Sequence, residues 1–75
     1  LKGVELIILI RQLDTRRVKV SLRSTSNVNC NAIALLFGGG GHFKESGFVI
    51  EGEVEKIGDS IVSRILKEVS KRKWM

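Results

Sequence analysis

The sequence predicts an α+β domain: a small sheet of about three strands, with a short helix and a long C-terminal amphipathic helix packed against it. Three patterns carry that expectation. Residues 17–24 alternate between apolar and polar side chains, residues 53–72 repeat apolar side chains at helical spacing, and residues 4–12 form a nearly unbroken apolar run.

The apolar run, rich in isoleucine, predicts a strand covered on both faces. Leu13-Asp14-Thr15-Arg16 follows as a turn, since Asp14 and Thr15 can bond local backbone. In the alternating stretch Val18, Val20 and Leu22 share one side, and Arg17, Lys19, Ser21 and Arg23 share the other. That is a strand with one buried and one basic, polar face. The short link predicts an antiparallel hairpin with the first strand.

After a polar loop, Asn29 is a good helix cap. Ile33, Leu36 and Phe37 recur at helical spacing, so residues 30–37 are expected as a short helix, stopped at Gly38. Residues 43–46 are expected as a helical turn ending at Gly47, and residues 48–50 as a third strand. Val54, Ile57, Ile61, Ile65, Leu66 and Val69 trace one stripe of the long last helix, which Gly58 weakens without breaking.

The chain has 75 residues, enough for one small domain. A core of that size is modest. Because the chain starts at Leu1 and runs straight into an apolar stretch, residues 1–75 are expected to be a fragment of a larger protein whose missing part helps complete the core. The lone Cys30 cannot form an internal disulfide, and without a secretory pattern a reducing cytoplasm is the expected setting. The apolar run carries Glu5 and is too short to span a bilayer, so no membrane role is expected.

The formal net charge is +5. Clustered Lys and Arg attract phosphates. Lys67, Lys71, Arg72 and Lys73 hold much of the excess, and basic residues also suit a helix C-terminus or a solvated face.

Residues 38–41 are four consecutive glycines followed by His42. Ordering glycine is costly, so a flexible joint is the plain alternative. Here the run is bracketed tightly, with no Ser or Pro padding. Glycines let peptide N–H groups approach an anion, and a helix starting near His42 would add further donors. His42 is either an incidental surface residue or a phosphate ligand through a ring N–H. A metal site here is not expected: there is no second histidine and no cysteine pair. Arg23 ends a strand on the polar face, where a guanidinium can fork onto a phosphate.

The runs Val18-Lys19-Val20-Ser21-Leu22-Arg23-Ser24, Asn29 to Phe37, Gly38-Gly39-Gly40-Gly41-His42 and Ser46-Gly47-Phe48 together resemble the DHH-associated domain of DHH-family phosphoesterases. Those proteins include the bacterial oligoribonuclease/pAp-phosphatase (nanoRNase) group, cyclic-dinucleotide phosphodiesterases and, more distantly, RecJ-type exonucleases. The resemblance implies a separate N-terminal DHH domain that hydrolyses phosphoesters with two divalent metals, usually manganese. The associated domain closes over the substrate from the other side. Carried onto this chain, the substrate- and phosphate-binding residues are Arg23, Ser24, Gly39, Gly40, Gly41 and His42, with loop geometry as the other reading of Ser24. The expected ligand is a phosphorylated nucleotide or short single-stranded oligonucleotide. No catalytic residue and no cofactor are expected in this chain, which is expected to be inactive without the DHH domain.

The chain departs from the family where Phe43-Lys44-Glu45 follow the histidine. The family commonly has two basic or small residues there, then alanines. Alanyl-tRNA synthetases carry a related domain, but their glycine loop is typically not followed by histidine, so His42 favours the phosphoesterases. Two alternatives stand beside this reading. One is a stand-alone basic nucleic-acid-binding module, although the aromatics number few and Phe37 and Phe48 are expected in the core. The other is a packing or dimerisation domain, a homo-oligomer built on the apolar first strand.

Overall fold

The computed structural model describes residues 5–71. Its centre is the alternating strand. Val18, Val20 and Leu22 are fully or almost fully buried, while Arg17 and Arg23 are exposed. This strand, β2 (Arg17–Ser24), lies between β1 (Leu6–Gln12) and a later strand, with antiparallel ladders on both sides. Ile8 stands opposite Leu22, and Ile10 opposite Val20, so the apolar sets of the hairpin fall in phase.

A short helix, α1 (Cys30–Leu36), follows. Asn29 caps it as expected, its side chain accepting the Ala32 N–H at 3.1 Å. Its buried face is Cys30, Ile33 and Ala34. Leu36, expected on that face, is exposed: the helix ends within two turns, and the last turn swings Leu36 outward while Phe37 turns in. Phe37 stacks on Phe48 with ring centroids 4.4 Å apart.

The chain then makes β3 (Gly40–Gly41) and β4 (Glu45–Glu51), giving a four-stranded sheet in the order β1-β2-β4-β3. The expected count of three strands is therefore one short. Two glycines offer no apolar alternation, so β3 leaves no periodic mark in the sequence. Residues 43–46 are not the expected helical turn either. His42 and Glu45 exchange both backbone hydrogen bonds, at 2.7 and 3.3 Å, which makes Phe43-Lys44 the two-residue tip of a hairpin. Among the described residues, none other than glycine has positive φ, so this tip does not use the left-handed pair usual in two-residue hairpins.

The last helix, α2 (Val54–Lys71), contributes Ile61, Ile65 and Val69 to the core, with Val54 and Ile57 partly buried. Leu66, one step off that line, is exposed. Both helices cover the same face of the sheet, α2 towards β1 and α1 towards β3 and β4. The other face is open. This corrects the expectation for the first strand: Leu6, Ile8 and Ile10 pack on the core, but Ile7 and Leu9 are 55% and 62% exposed. Among the described residues, both helices lie on one side of the sheet and nothing covers the second face of this edge strand. Val4, Arg72, Lys73 and Trp74 lie outside the described residues. Among the described residues, no helix is long and apolar enough to cross a membrane.

Gln12 ties three segments together. Its amide nitrogen donates to the carbonyls of Asp14, Arg17 and Gly52, and its amide oxygen accepts the Val54 N–H at 2.8 Å. A side chain from β1 thus satisfies a free donor at the start of α2. In the adjoining turn the Asp14 carboxylate accepts the Arg16 N–H at 2.9 Å and Arg17 Nε at 2.8 Å. These donors, the Arg16 peptide first, hold its pKa below the ordinary value.

Two predictions follow from these contacts. Gly38 takes φ +83°, but a Cβ there would meet nothing within 4 Å. A Cβ on Gly39 would instead collide with the Gly47 carbonyl oxygen and lie 2.5 Å from Phe48 Cβ. Gly38→Ala is expected to cost about 1 kcal/mol in urea unfolding, and Gly39→Ala roughly 3 kcal/mol; equal losses would contradict the close approach. Asp14 contributes stability that is full above its ordinary pKa of 3.8 and is lost as pH falls through the lowered folded-state value. The stability difference between the wild-type chain and Asp14→Asn should therefore shrink as pH falls below that ordinary value.

Candidate functional site

The open face of the sheet carries the polar half of β2. Directly opposed residues in an antiparallel pair share a face, so the registers place the side chains in rows. Ile7, Arg23 and Glu45 form one row, and Leu9, Ser21, Gly47 and Gly40 the next. Arg11, Lys19 and Val49 form a third. Gly40 and Gly47 bring no side chain to the middle row, and a shallow depression of about 470 Å³ opens there. Lys19, Ser21, Gly40, His42, Glu45 and Gly47 line it. The Lys19 ammonium is drawn over the glycine: a Cβ on Gly47 would lie 3.3 Å from Lys19 Nζ. A second hollow, of about 270 Å³, adjoins on the side of Ile7, Leu9 and Arg23. Ser21 and Glu45 belong to both.

His42 stands at the base of the hairpin tip, and that tip is tied down. The Phe43 carbonyl accepts the Cys30 N–H at 2.8 Å, and the Lys44 carbonyl accepts the Ser24 N–H at 2.9 Å. Lys44 Nζ donates to the Ser26 carbonyl at 2.9 Å. The hydroxyl of buried Ser46 donates to the Cys30 carbonyl at 2.7 Å, joining β4 to the start of α1. Burial among these groups pushes the Cys30 thiol pKa up, which keeps it in the unreactive neutral form. His42 is thus an exposed side chain on a braced backbone.

The glycine run does not act as expected. The N–H groups of Gly38, Gly39, Gly41 and His42 are all spent inside the protein, on Leu35 O, Ala34 O, Asn31 Oδ1 and Glu45 O. An anion cradle built from these four peptide donors is therefore absent from this conformation. The glycines serve close packing instead. Gly39 lies against Gly47 and Phe48, and a Cβ on Gly41 would sit 2.7 Å from Ser46 Cα. A methyl on Gly40 would rest at an ordinary 3.6 Å from Asn31 Oδ1.

Of the six residues singled out in the sequence, Gly40 and His42 line the polar depression and Arg23 the adjoining hollow. Ser24 is buried at 4% exposure. Its hydroxyl accepts the Ser26 N–H at 3.2 Å and donates to the Ser26 carbonyl, which shapes the loop. Gly39 and Gly41 hold β3 against β4. The structure adds Lys19, Ser21, Glu45 and Gly47 to the face. Lys19 and Ser21 are in phase with Arg23, so the alternation of β2 carried that signal. No local sequence pattern marks Glu45, which arrives through the β2–β4 register, as does Gly47, noted in the sequence only as a turn end and in the Ser46-Gly47-Phe48 run. Among the described residues, no three His, Cys, Asp or Glu side chains are grouped to hold a metal ion.

A four-stranded antiparallel sheet with both helices on one face and a polar, basic second face defines a small α+β domain. The particular family is shown by comparison: the DHHA1 domain model matches residues 1–72, so the chain belongs to the DHH-associated domains of DHH-family phosphoesterases. No curated protein matches the chain.

Asn31 holds the glycine strand to α1 through the Gly41 N–H at 3.1 Å. Asn31→Ala is expected to cost about 1 kcal/mol of stability. It should also speed hydrogen exchange at the Gly41 amide more than at core amides such as Val20; uniform acceleration would mean that Asn31 does not hold β3 individually.

Proposed function

We propose that this chain supplies the phosphate-gripping face of a DHH-family phosphoesterase, and that its ligand is a phosphorylated nucleotide or a short single-stranded oligonucleotide. The observation that carries the reading is the placement of Lys19 and His42 at a glycine-floored depression on the uncovered sheet face, with Arg23 in the adjoining hollow. Glycine allows a ligand oxygen to come close to the backbone. The basic groups stand on the rigid middle of the sheet and on a braced turn, so little ordering is needed when an anion arrives. The residues of this chain bind and orient the phosphoryl group and offset its charge. Divalent metal, held by the DHH domain, supplies the hydrolytic chemistry. Pairing with that domain of the same protein, in a reducing cytoplasm that keeps Cys30 as a thiol, belongs to the same proposal.

A stand-alone binder of long single strands is less well supported. Such proteins stack successive bases on aromatic platforms. Phe37 and Phe48 are stacked on each other here, with Phe48 buried, which leaves Phe43 as the exposed ring among the described residues.

In the intact enzyme, Arg23→Ala and His42→Ala are each expected to lower kcat/KM by roughly 10- to 100-fold on a nucleotide substrate. The far-ultraviolet circular dichroism and melting temperature should not change, because both side chains are exposed. Near-normal turnover in both variants would overturn the proposal.

A further inference from the structure

The Arg23 guanidinium is already engaged. Its Nη2 lies 3.2 Å from Glu45 Oε2, and the two side chains are 62% and 64% exposed. They are register partners on the open face, and Glu45 also borders both the polar depression and the adjoining hollow. The Glu45 backbone is locked to His42 by two hydrogen bonds across the hairpin tip. Glu45 thus pairs with Arg23 and lines the same depression as His42. An exposed pair of this kind adds little stability, so the fold does not depend on it.

We infer that Glu45 is an intramolecular competitor for Arg23 and sets the affinity of the phosphate site. The carboxylate occupies the guanidinium in the free protein, and an arriving phosphate displaces it. The ligand gains the Arg23 interaction only net of the broken Arg23–Glu45 pair, and it works against the negative charge of the released carboxylate. Glu45 thereby weakens every anion that needs Arg23, and most strongly those that place charge directly on that guanidinium. This inference rests on the phosphate-binding reading above.

The test is titration of the 75-residue chain with adenosine 5′-monophosphate and with inorganic phosphate, followed by NMR at the Arg23 Nε–H and the Ser21, Gly40 and His42 amides. Glu45→Gln is expected to tighten both ligands by roughly two- to fivefold, the span of an exposed ion pair. Glu51→Gln is the charge control. It lies on the same strand and face, six positions away and opposite Arg17, a separation of about 20 Å that exceeds the screening length of about 8 Å at physiological salt. Its affinity should match the wild-type value. Arg23→Ala should weaken binding, and adding Glu45→Gln to it should restore less than Glu45→Gln gains in the wild-type chain. If Arg23→Ala weakens binding but Glu45→Gln leaves it unchanged or weaker, the role of Glu45 is overturned and the phosphate reading stands. Equal tightening by Glu51→Gln also overturns it, because the effect is then bulk charge. If Arg23→Ala binds as the wild-type chain does, both readings fall.

Discussion

The period-two alternation of β2, flanked by hydrogen-bonded neighbours, is the constraint from which the molecule is built. Val18, Val20 and Leu22 have to face the helices, so Lys19, Ser21 and Arg23 have to face away. A one-residue shift of β2 would turn Arg17, Lys19, Ser21 and Arg23 towards the core. The same alternation that holds the fold therefore also collects positive charge on one surface. That makes β2 the common origin of the core face and of the basic face.

Two kinds of glycine share this small domain and do different work. Gly39 and Gly41 are required because backbone passes backbone too closely for a side chain, and their peptide N–H groups are consumed in doing so. Gly47, with its register partner Gly40, leaves a hollow on the other face. A run that reads as one phosphate-binding loop is thus mostly a splice that lets β3 lie flat against β4. His42 is placed by that splice and by the Phe43-Lys44 tip, not by a helix terminus.

Much of this was legible from residue pattern. The β1–β2 hairpin, the Asn29 cap, the Gly38 stop and the Ile61, Ile65 and Val69 face follow local rules of spacing and conformation. What escaped depends on distant pairing. β3 has no side chains to carry a period, and the start of β4 at Glu45 is set by its backbone register with β2, where it stands opposite Arg23. The open face of β1 depends on what lies beyond the strand, and a row of isoleucines reads the same whether or not its second side is covered. Arg23 and His42 stood out by type and position. Glu45 did not, because its meaning comes from the residue opposite it.

The brace between Ser46 and the Cys30 carbonyl gives the domain an internal clock. The one thiol of the chain sits at the seam where α1, the hairpin tip and the end of β2 meet, and it is sealed from solvent. A thiol-specific reagent can reach it only when that seam parts, locally or with the whole fold, so the labelling rate counts those openings. Anything that steadies the His42 turn would lengthen the interval between openings. The protein thus carries, without added label, a reporter of how tightly its open face is held from behind.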